Sequence, residues 1–324
     1  MPDNTADQNQ LTEQRPPETD IPLEFRLSTY EYELPTELIA QEPARVRDES
    51  RLMLINRKSS SISHHYFKEL PYLLNESDVL VLNETAVIPV QIKGHKSTGG
   101  SVELLALNPA VSYGSATHGS YALRECLVKT SKPLKNGQEV FIDDETTLRV
   151  AQTLRPGRAV IQFPCPDDGL ADFLKAHGRT PLPPYIKPKN DSDPEHRRRY
   201  QTIYSKQPGS VAAPTAGLHF TDELLKEIEG RGITVLKITL HVGLGTFMPM
   251  RENDIRLHKM ETEFFDIPEG VAGQINSAVK SGRRIVAVGS TSMRTLESAA
   301  KDDNSVMFGP QHTDLFITPG YKFR

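Results

Sequence analysis

At 324 residues, with 37% hydrophobic and 25% charged side chains, the chain is long enough for more than one core and too long for a single small binding module. No apolar run approaches the roughly 20 residues that span a bilayer, and the two cysteines, Cys126 and Cys165, lie outside CxxC spacing, which excludes a disulfide framework and a cysteine zinc site and predicts a cytoplasmic setting. The net charge of −4 is concentrated in residues 1–24, with six acids against one base, so a polyanionic partner must meet a local basic patch.

Residues 1–22 are polar, acidic and without apolar periodicity, which predicts a disordered acidic N-terminal tail. Residues 35–41 (PTELIAQ) read as a short helix and 52–55 (LMLI) as a strand. Between 78 and 163, short β-rich runs such as SVELLAL, ALRECLVKT, QEVFI and AVIQF alternate with Gly, Asn and Pro, the pattern of a small barrel or sandwich. After Asp168 the period changes: Leu170, Phe173 and Leu174 mark a helix that stops at Gly178. Thr221 is placed to cap a helix ended by Gly230 and Gly232, and the strand ITVLKITLHV follows. Pro268 opens another helix, closed by Gly282, before the buried strand of residues 284–288. Helix and strand alternate here, so the fold expected is an α/β body (23–77 and 164–324) carrying a β-barrel-like second domain (78–163).

Four segments carry chemistry. In 207–220 (QPGSVAAPTAGLHF), small residues lead to His219 at a helix start, which suits either close approach of a ligand to the backbone or a tight turn with a capping histidine. In 241–247 (HVGLGTF), Gly243 and Gly245 follow a strand end, where ligands collect in α/β sheets, although Met248 in place of a third glycine excludes a dinucleotide fingerprint. In 289–294 (GSTSMR), Ser290 or Thr291 can cap a helix whose free amides, with Arg294, suit a carboxylate or phosphate. The segment 258–263 (HKMETE) places His258 and Glu261 three apart but lacks HExxH, and no metal site is expected. The candidate basic patch, Lys187 and Lys189 with Arg197, Arg198 and Arg199, reads either as a phosphate-binding patch or as a solvated loop offset by Asp191, Asp193 and Glu195.

Together with RDESR (47–51), residues 78–89, GGSVE (99–103), PLPPYI (181–186), YQTIY (200–204) and FITPGYKF (316–323), these words resemble the S-adenosylmethionine:tRNA ribosyltransferase-isomerases of queuosine biosynthesis, in order and over nearly all of 27–324. The resemblance implies an α/β body carrying a β-barrel domain. It also implies transfer and isomerisation of the ribosyl moiety of S-adenosylmethionine onto 7-aminomethyl-7-deazaguanine at the wobble position of tRNA. Epoxyqueuosine-tRNA remains while adenine and methionine leave. S-adenosylmethionine would be a consumed substrate, with no cofactor, no membrane and a monomeric enzyme. On that reading His219 and His241 are the acid/base candidates, Thr215, Gly217, Gly243, Gly245 and Thr246 shape the pocket, and Ser292 and Arg294 hold the methionine carboxylate or a tRNA phosphate.

The chain departs from the family at three places. NETAV (83–87) stands where NNTRV is usual, so Glu84 replaces an amide and Ala86 an arginine; Glu261 stands for the second histidine of HxMHxE. The chain also ends at Arg324, before the TNFHLP-type segment that follows GYKF, with 315–324 reading as a strand, a turn and a second strand. These departures support a rival expectation: a non-catalytic tRNA-binding relative, or an inactive truncated fragment.

Overall fold

Short runs of alternating apolar and polar side chains, as along 101–106 and 122–127, give a strand one dry face, and the computed structural model shows what such faces pack against. The structure describes residues 18–107, 113, 119–183, 185–187, 194–243, 245, 250 and 252–324. Strands β1 (Arg51–Asn56) and β2 (Ser61–Tyr66) form an antiparallel hairpin, Arg51 opposite Tyr66 and Asn56 opposite Ser61. The turn α1 (Leu70–Leu73) leads to β3 (Val79–Asn83) and β4 (Thr85–Val87). Strands β5 (Gln91–His95), β6 (Ser101–Ala106), β7 (Ala122–Thr130), β8 (Glu139–Phe141), β9 (Thr147–Arg155) and β10 (Arg158–Phe163) close into a barrel ordered β10-β7-β6-β5-β8-β9. Val102, Leu104, Val140, Leu148, Ile161 and Phe163 fill it, none more than 1% exposed. Helix α2 (Leu170–His177) adds Leu170 and Leu174 to that core. The chain enters and leaves the barrel side by side, because Gln91 and Arg179 exchange both backbone hydrogen bonds, at 3.1 and 2.7 Å.

The remaining elements build the body: α3 (Pro194–Arg199), β11 (Gln207–Ser210), α4 (Asp222–Gly230), β12 (Thr234–Leu240), β13 (Glu263–Ile267), α5 (Glu269–Lys280), β14 (Ile285–Ala287), α6 (Gly289–Ala299) and β15 (Gly309–Thr313). A five-stranded sheet runs β14-β3-β12-β13-β15, its first three strands parallel and the last two antiparallel additions. Alternation along β3 explains its central place: Val79 and Val81 join Ile275, Ala278 and Ala299 of α5 and α6, while Leu80 and Leu82 join Leu224 and Ile228 of α4. A strand buried on both faces needs such a continuous apolar run. Thr221 caps α4 as expected, its Oγ1 accepting from the Leu224 N–H at 3.1 Å.

Several expectations are corrected. The β-rich stretch opening at residue 78 is not all barrel, because β3 sits at the centre of the body sheet and the barrel strands begin at Gln91. Residues 35–41 form a single 3-10 turn, Thr36–Leu38, with Leu38 71% exposed, since no neighbour buries an apolar face there. The strand expected at 284–288 is short and only half-buried, being an edge of its sheet. Neither Ser290 nor Thr291 caps α6, whose N-cap is Val288 without a side-chain bond. Residues 315–324 hold no strand; Tyr321 Oη and the Arg324 N–H bond to Glu297 instead. The expected tail lies outside the described residues up to residue 17; of the rest, Glu18–Asp20 form a 3-10 turn and Ile21 is buried.

Candidate active site

The three parallel strands end together, and Asn83 ties two of those ends. Its Nδ2 donates to the Leu240 carbonyl and its Oδ1 accepts from Leu240 N–H, both at 3.0 Å, and from Thr85 N–H at 3.1 Å. Ser210 then bridges the small-residue segment to the end of β12, accepting from Val242 N–H at 2.9 Å and donating to the Ala212 carbonyl at 2.7 Å. Beyond these ends lies a cleft of about 950 Å³ lined by Ala212, Thr215, Val242, Glu263, Thr291 and Arg294 among others. Ligands of open α/β sheets collect at this place, outside the carboxyl ends of the strands.

The cleft is polar at one end. Gly289 turns β14 into α6 at φ +84°, a conformation that strains any residue with a Cβ. The first-turn amides of α6, like those of any helix, lack intrahelical partners, and no side-chain cap supplies an acceptor where Gly289, Ser290 and Thr291 line the cleft. Glu263, 4% exposed, accepts from Gly243 N–H at 2.8 Å through Oε1 and pairs through Oε2 with Nη1 of Arg294. Arg294 Nε donates to the Leu315 carbonyl at 3.0 Å, while its buried Nη2 has no partner among the described residues; the same holds for Thr291 Oγ1 and Ser292 Oγ. A buried N–H without an acceptor is costly, and a ligand oxygen would remove that cost.

A second, mostly apolar pocket of about 420 Å³ adjoins the cleft, with Pro183, Tyr185, Tyr200 and Thr215 common to both walls. His219 lines this pocket, its ring 5.2 Å from Phe67. Arg47 also lines it, reaching the Leu218 carbonyl at 2.9 Å. Burial pushes the Tyr200 hydroxyl up to about 12, so it stays a neutral donor. His241 lines neither space. Its Nδ1 meets Thr85 Oγ1 at 2.7 Å, its ring stacks on Phe264, and Gly209 packs so closely on the Nε2 edge that a Cβ there would fall 2.6 Å away.

Burial lowers the His241 pKa below its ordinary value. Folding therefore favours the neutral ring. Its stabilising contribution is intact above the unfolded-state pKa of about 6.5 and is lost as pH falls from there through the folded value. Wild-type protein should lose more thermal stability between about pH 7 and 5 than His241→Gln. Superimposable Tm–pH curves would show that His241 has no part in the pH response.

Of the residues expected from sequence, the structure brings Thr215 and Arg294 into the cleft, and Gly243 reaches it through Glu263. Gly217 serves packing, since a Cβ there would collide with Tyr204 Oη. A Cβ on Gly245 would stand 3.8 Å from Glu261 Cβ, an ordinary contact. Ser292 is fully buried behind the cleft wall. Thr246 and Lys189 lie outside the described residues. In the basic cluster, Arg197 donates to the Gly178 carbonyl at 2.9 Å, Arg199 to the Arg45 carbonyl at 3.1 Å and to that of Ala44, and Arg198 pairs with Glu195 at 2.7 Å. Among the described residues of this group, Lys187 and Arg198 are exposed and Arg197 and Arg199 half-buried. Glu263 was missed, although the alternation Glu263, Phe265, Ile267 puts a carboxylate on the buried face of β13, and a buried carboxylate demands a partner.

The departures at 258–263 and 83–87 have structural roles. Glu261 binds Arg158 of the barrel at 3.0 Å, and Arg158 also binds Glu125 at 2.8 Å, so the carboxylate clasps barrel to body. His258 packs edge-on against Phe316, and among the described residues no group of three or more His, Cys, Asp or Glu side chains is placed to hold a metal ion. Glu84 and Ala86 contribute backbone bonds, Glu84 N–H to the Ile238 carbonyl at 2.8 Å and Ala86 opposite Pro208. No helix among the described residues is long and apolar enough to cross a membrane.

Known proteins share this chain along most of its length. The profile of a family described as "Queuosine biosynthesis protein" matches residues 27–324. A protein of Geotalea uraniireducens named S-adenosylmethionine:tRNA ribosyltransferase-isomerase is 41% identical over 300 residues, covering 93% of this chain and 84% of its own. A protein of the same name from Syntrophomonas wolfei is 44% identical over 306 residues, covering 93% and 82%. A solved structure of an S-adenosylmethionine tRNA ribosyltransferase from Thermotoga maritima aligns over 93% of this chain and 81% of its own, with 29% identity and a TM-score of 0.43. With a family profile spanning nearly the whole chain and relatives above 40% identity, the chain belongs to the S-adenosylmethionine:tRNA ribosyltransferase-isomerase family.

Proposed function

We propose that the chain transfers and isomerises the ribosyl moiety of S-adenosylmethionine onto 7-aminomethyl-7-deazaguanine in the tRNA anticodon, leaving epoxyqueuosine-tRNA and releasing adenine and methionine. The observation that carries the reading in this fold is the cleft beyond β3, β12 and β14, where the uncapped start of α6 meets the unpartnered Nη2 of Arg294. Amides at a helix start and a guanidinium suit a carboxylate, which assigns this end to the methionine portion of the substrate. The small residues 212–216 leave room beside it for the nucleoside. The sulfonium acidifies the adjacent C5′ protons. A base that takes one of them starts the loss of adenine, whose C–N bond breaks and whose nitrogen takes up a proton. The amine of the modified base then bonds to the activated ribosyl carbon and gives up a proton, and a ribosyl oxygen displaces methionine by breaking the C5′–S bond, which closes the epoxide. His219, on the pocket that shares Thr215 with the cleft, is the residue placed for that acid/base work, and His241 orients the strand end through Thr85.

The proposed enzyme is a cytoplasmic monomer without a resident cofactor, consuming S-adenosylmethionine as a substrate. Among the described residues, Lys187 and Arg198 are the exposed members of the basic cluster, and a phosphate at Arg198 would have to displace its pair with Glu195. The test is incubation with S-adenosylmethionine and precursor-modified tRNA, followed by mass spectrometry for adenine and epoxyqueuosine. Neither product, from a folded protein that binds the tRNA, would leave the chain a non-catalytic relative. Within that assay His219→Ala should turn over about 100-fold more slowly, the scale of one positioned acid or base. A near-wild-type rate would make His219 a wall residue.

A further inference from the structure

The β1–β2 hairpin is little used by the fold it belongs to. Residues 51–68 hold four cations, Arg51, Arg57, Lys58 and Lys68, two histidines and no acid, in a chain of net charge −4. All four cations are exposed; Lys68 lies over the Tyr66 ring, 5.7 Å from its centroid, and beside the Glu69 carboxylate. Strand alternation gives the hairpin two faces. One turns inward, where Leu52 packs on the core beneath α4 and His65 bonds Glu69 at 3.0 Å. The other carries Met53, Ile55, Ile62, His64 and Tyr66, and Met53, Ile55, Ile62 and Tyr66 are 50–61% exposed.

The hairpin is rooted beside the candidate site. Ser50, just before β1, lines the smaller pocket, and its carbonyl accepts from Phe67 N–H at 2.8 Å just after β2. Phe67 then packs against His219. Exposed cations beside exposed aromatic and imidazole rings suit RNA loops, whose phosphates need cations and whose unstacked bases need flat partners. A second copy of the chain fits less well, because a two-fold interface would set these like charges against each other.

We propose that the hairpin is an RNA-gripping arm that lies on the anticodon stem and loop while the target base enters the site, with Arg51, Arg57 and Lys58 on phosphates and His64 and Tyr66 against bases. The inference rests on the reading of the chain as a tRNA-modifying enzyme. By contrast, Arg197 and Arg199 spend their guanidiniums on backbone carbonyls inside the protein.

Fluorescence anisotropy with a labelled tRNA transcript carrying guanosine at the wobble position, read across a salt series, tests the arm. Arg57→Gln/Lys58→Gln is expected to weaken binding about 10-fold near 0.1 M salt and to flatten the log–log salt slope by about 1.5, since each lost phosphate contact removes roughly 0.7–0.9. His64→Ala is expected to weaken binding about 5-fold with the slope unchanged, as a lost stacking contact would. Calorimetric affinity for S-adenosylmethionine serves as the control for folding. Unchanged affinity and slope in both variants, with wild-type binding intact, would overturn the arm alone. A folded wild type that binds no tRNA would overturn both the arm and the function on which it rests. A wild-type dimer in sedimentation that His64→Ala dissociates would make the face a self-association surface, and would equally overturn the proposal.

Discussion

Arg294→Ala should lose both stability and turnover, and the pair Arg294→Met/Glu263→Gln should separate the two losses. Glu263 is 3% exposed in its side chain and Arg294 13%, so truncating the arginine strands a carboxylate with only the Gly243 amide as partner. Breaking a buried pair from one side typically costs about 3–5 kcal/mol, whereas replacing both members by neutral groups of similar volume is often close to neutral. The double variant keeps an oxygen for Gly243 and removes both charges, so its Tm should return to near the wild-type value. Turnover should not return with it. If Nη2 binds the substrate carboxylate, the loss of one charge-assisted hydrogen bond, worth about 1.5–3 kcal/mol, lowers kcat/KM for S-adenosylmethionine by about 10- to 100-fold in both variants. Recovery of turnover along with Tm in the double variant would assign Arg294 to architecture alone.

Asn83→Leu carries the second large effect. The side chain is 1% exposed and makes three backbone hydrogen bonds, two to Leu240 and one to Thr85. Leucine conserves much of the volume but leaves the Leu240 N–H, the Leu240 carbonyl and the Thr85 N–H without acceptor or donor. At roughly 1–3 kcal/mol for each stranded group, the loss should reach about 3–5 kcal/mol, a large part of a typical stability of about 5–15 kcal/mol. Urea denaturation reads this directly. Asn83→Asp should fall between, since it keeps the two acceptor bonds but turns an oxygen toward the Leu240 carbonyl. A loss below about 1 kcal/mol in Asn83→Leu would mean that water or a backbone shift replaces the amide.

Much of the body was legible in the sequence because local signals agreed with tertiary ones: the Thr221 cap, the apolar spacing of α4 and α5, and the glycines after them all lie where the chain changes element. Errors arose where burial and local pattern part. VLVLN at 79–83 looks like any short β run, and only its double-sided burial against α4 and α5 distinguishes a body strand from a barrel strand. At the site, Thr215 and Arg294 were visible as members of long small-residue words, yet their neighbour Glu263 was not, because the pairing joins residues 31 apart on different elements. His219 and His241 look alike in sequence, each beside a glycine-bearing word, His219 closing TAGLH and His241 opening HVGLGTF. Their environments differ because β12 ends against Phe264 and Gly209, whereas the 3-10 turn Thr215–His219 opens onto a pocket. The arginines at 197–199 read as free charge because nothing local reveals that carbonyls at 44, 45 and 178 stand opposite them.

The paired backbones of Gln91 and Arg179 give the barrel a single doorway. Whatever length of chain passes through it, the body meets the same two adjacent ends, and the entropy of closing a loop between fixed ends grows only slowly with its length. Insertions and deletions among the barrel turns, apart from the β9–β10 turn beside the Arg158–Glu261 clasp, are thereby insulated from the sheet that bears the cleft. The barrel can vary in size and surface across descendants of this fold while β3, β12 and β14 keep their register.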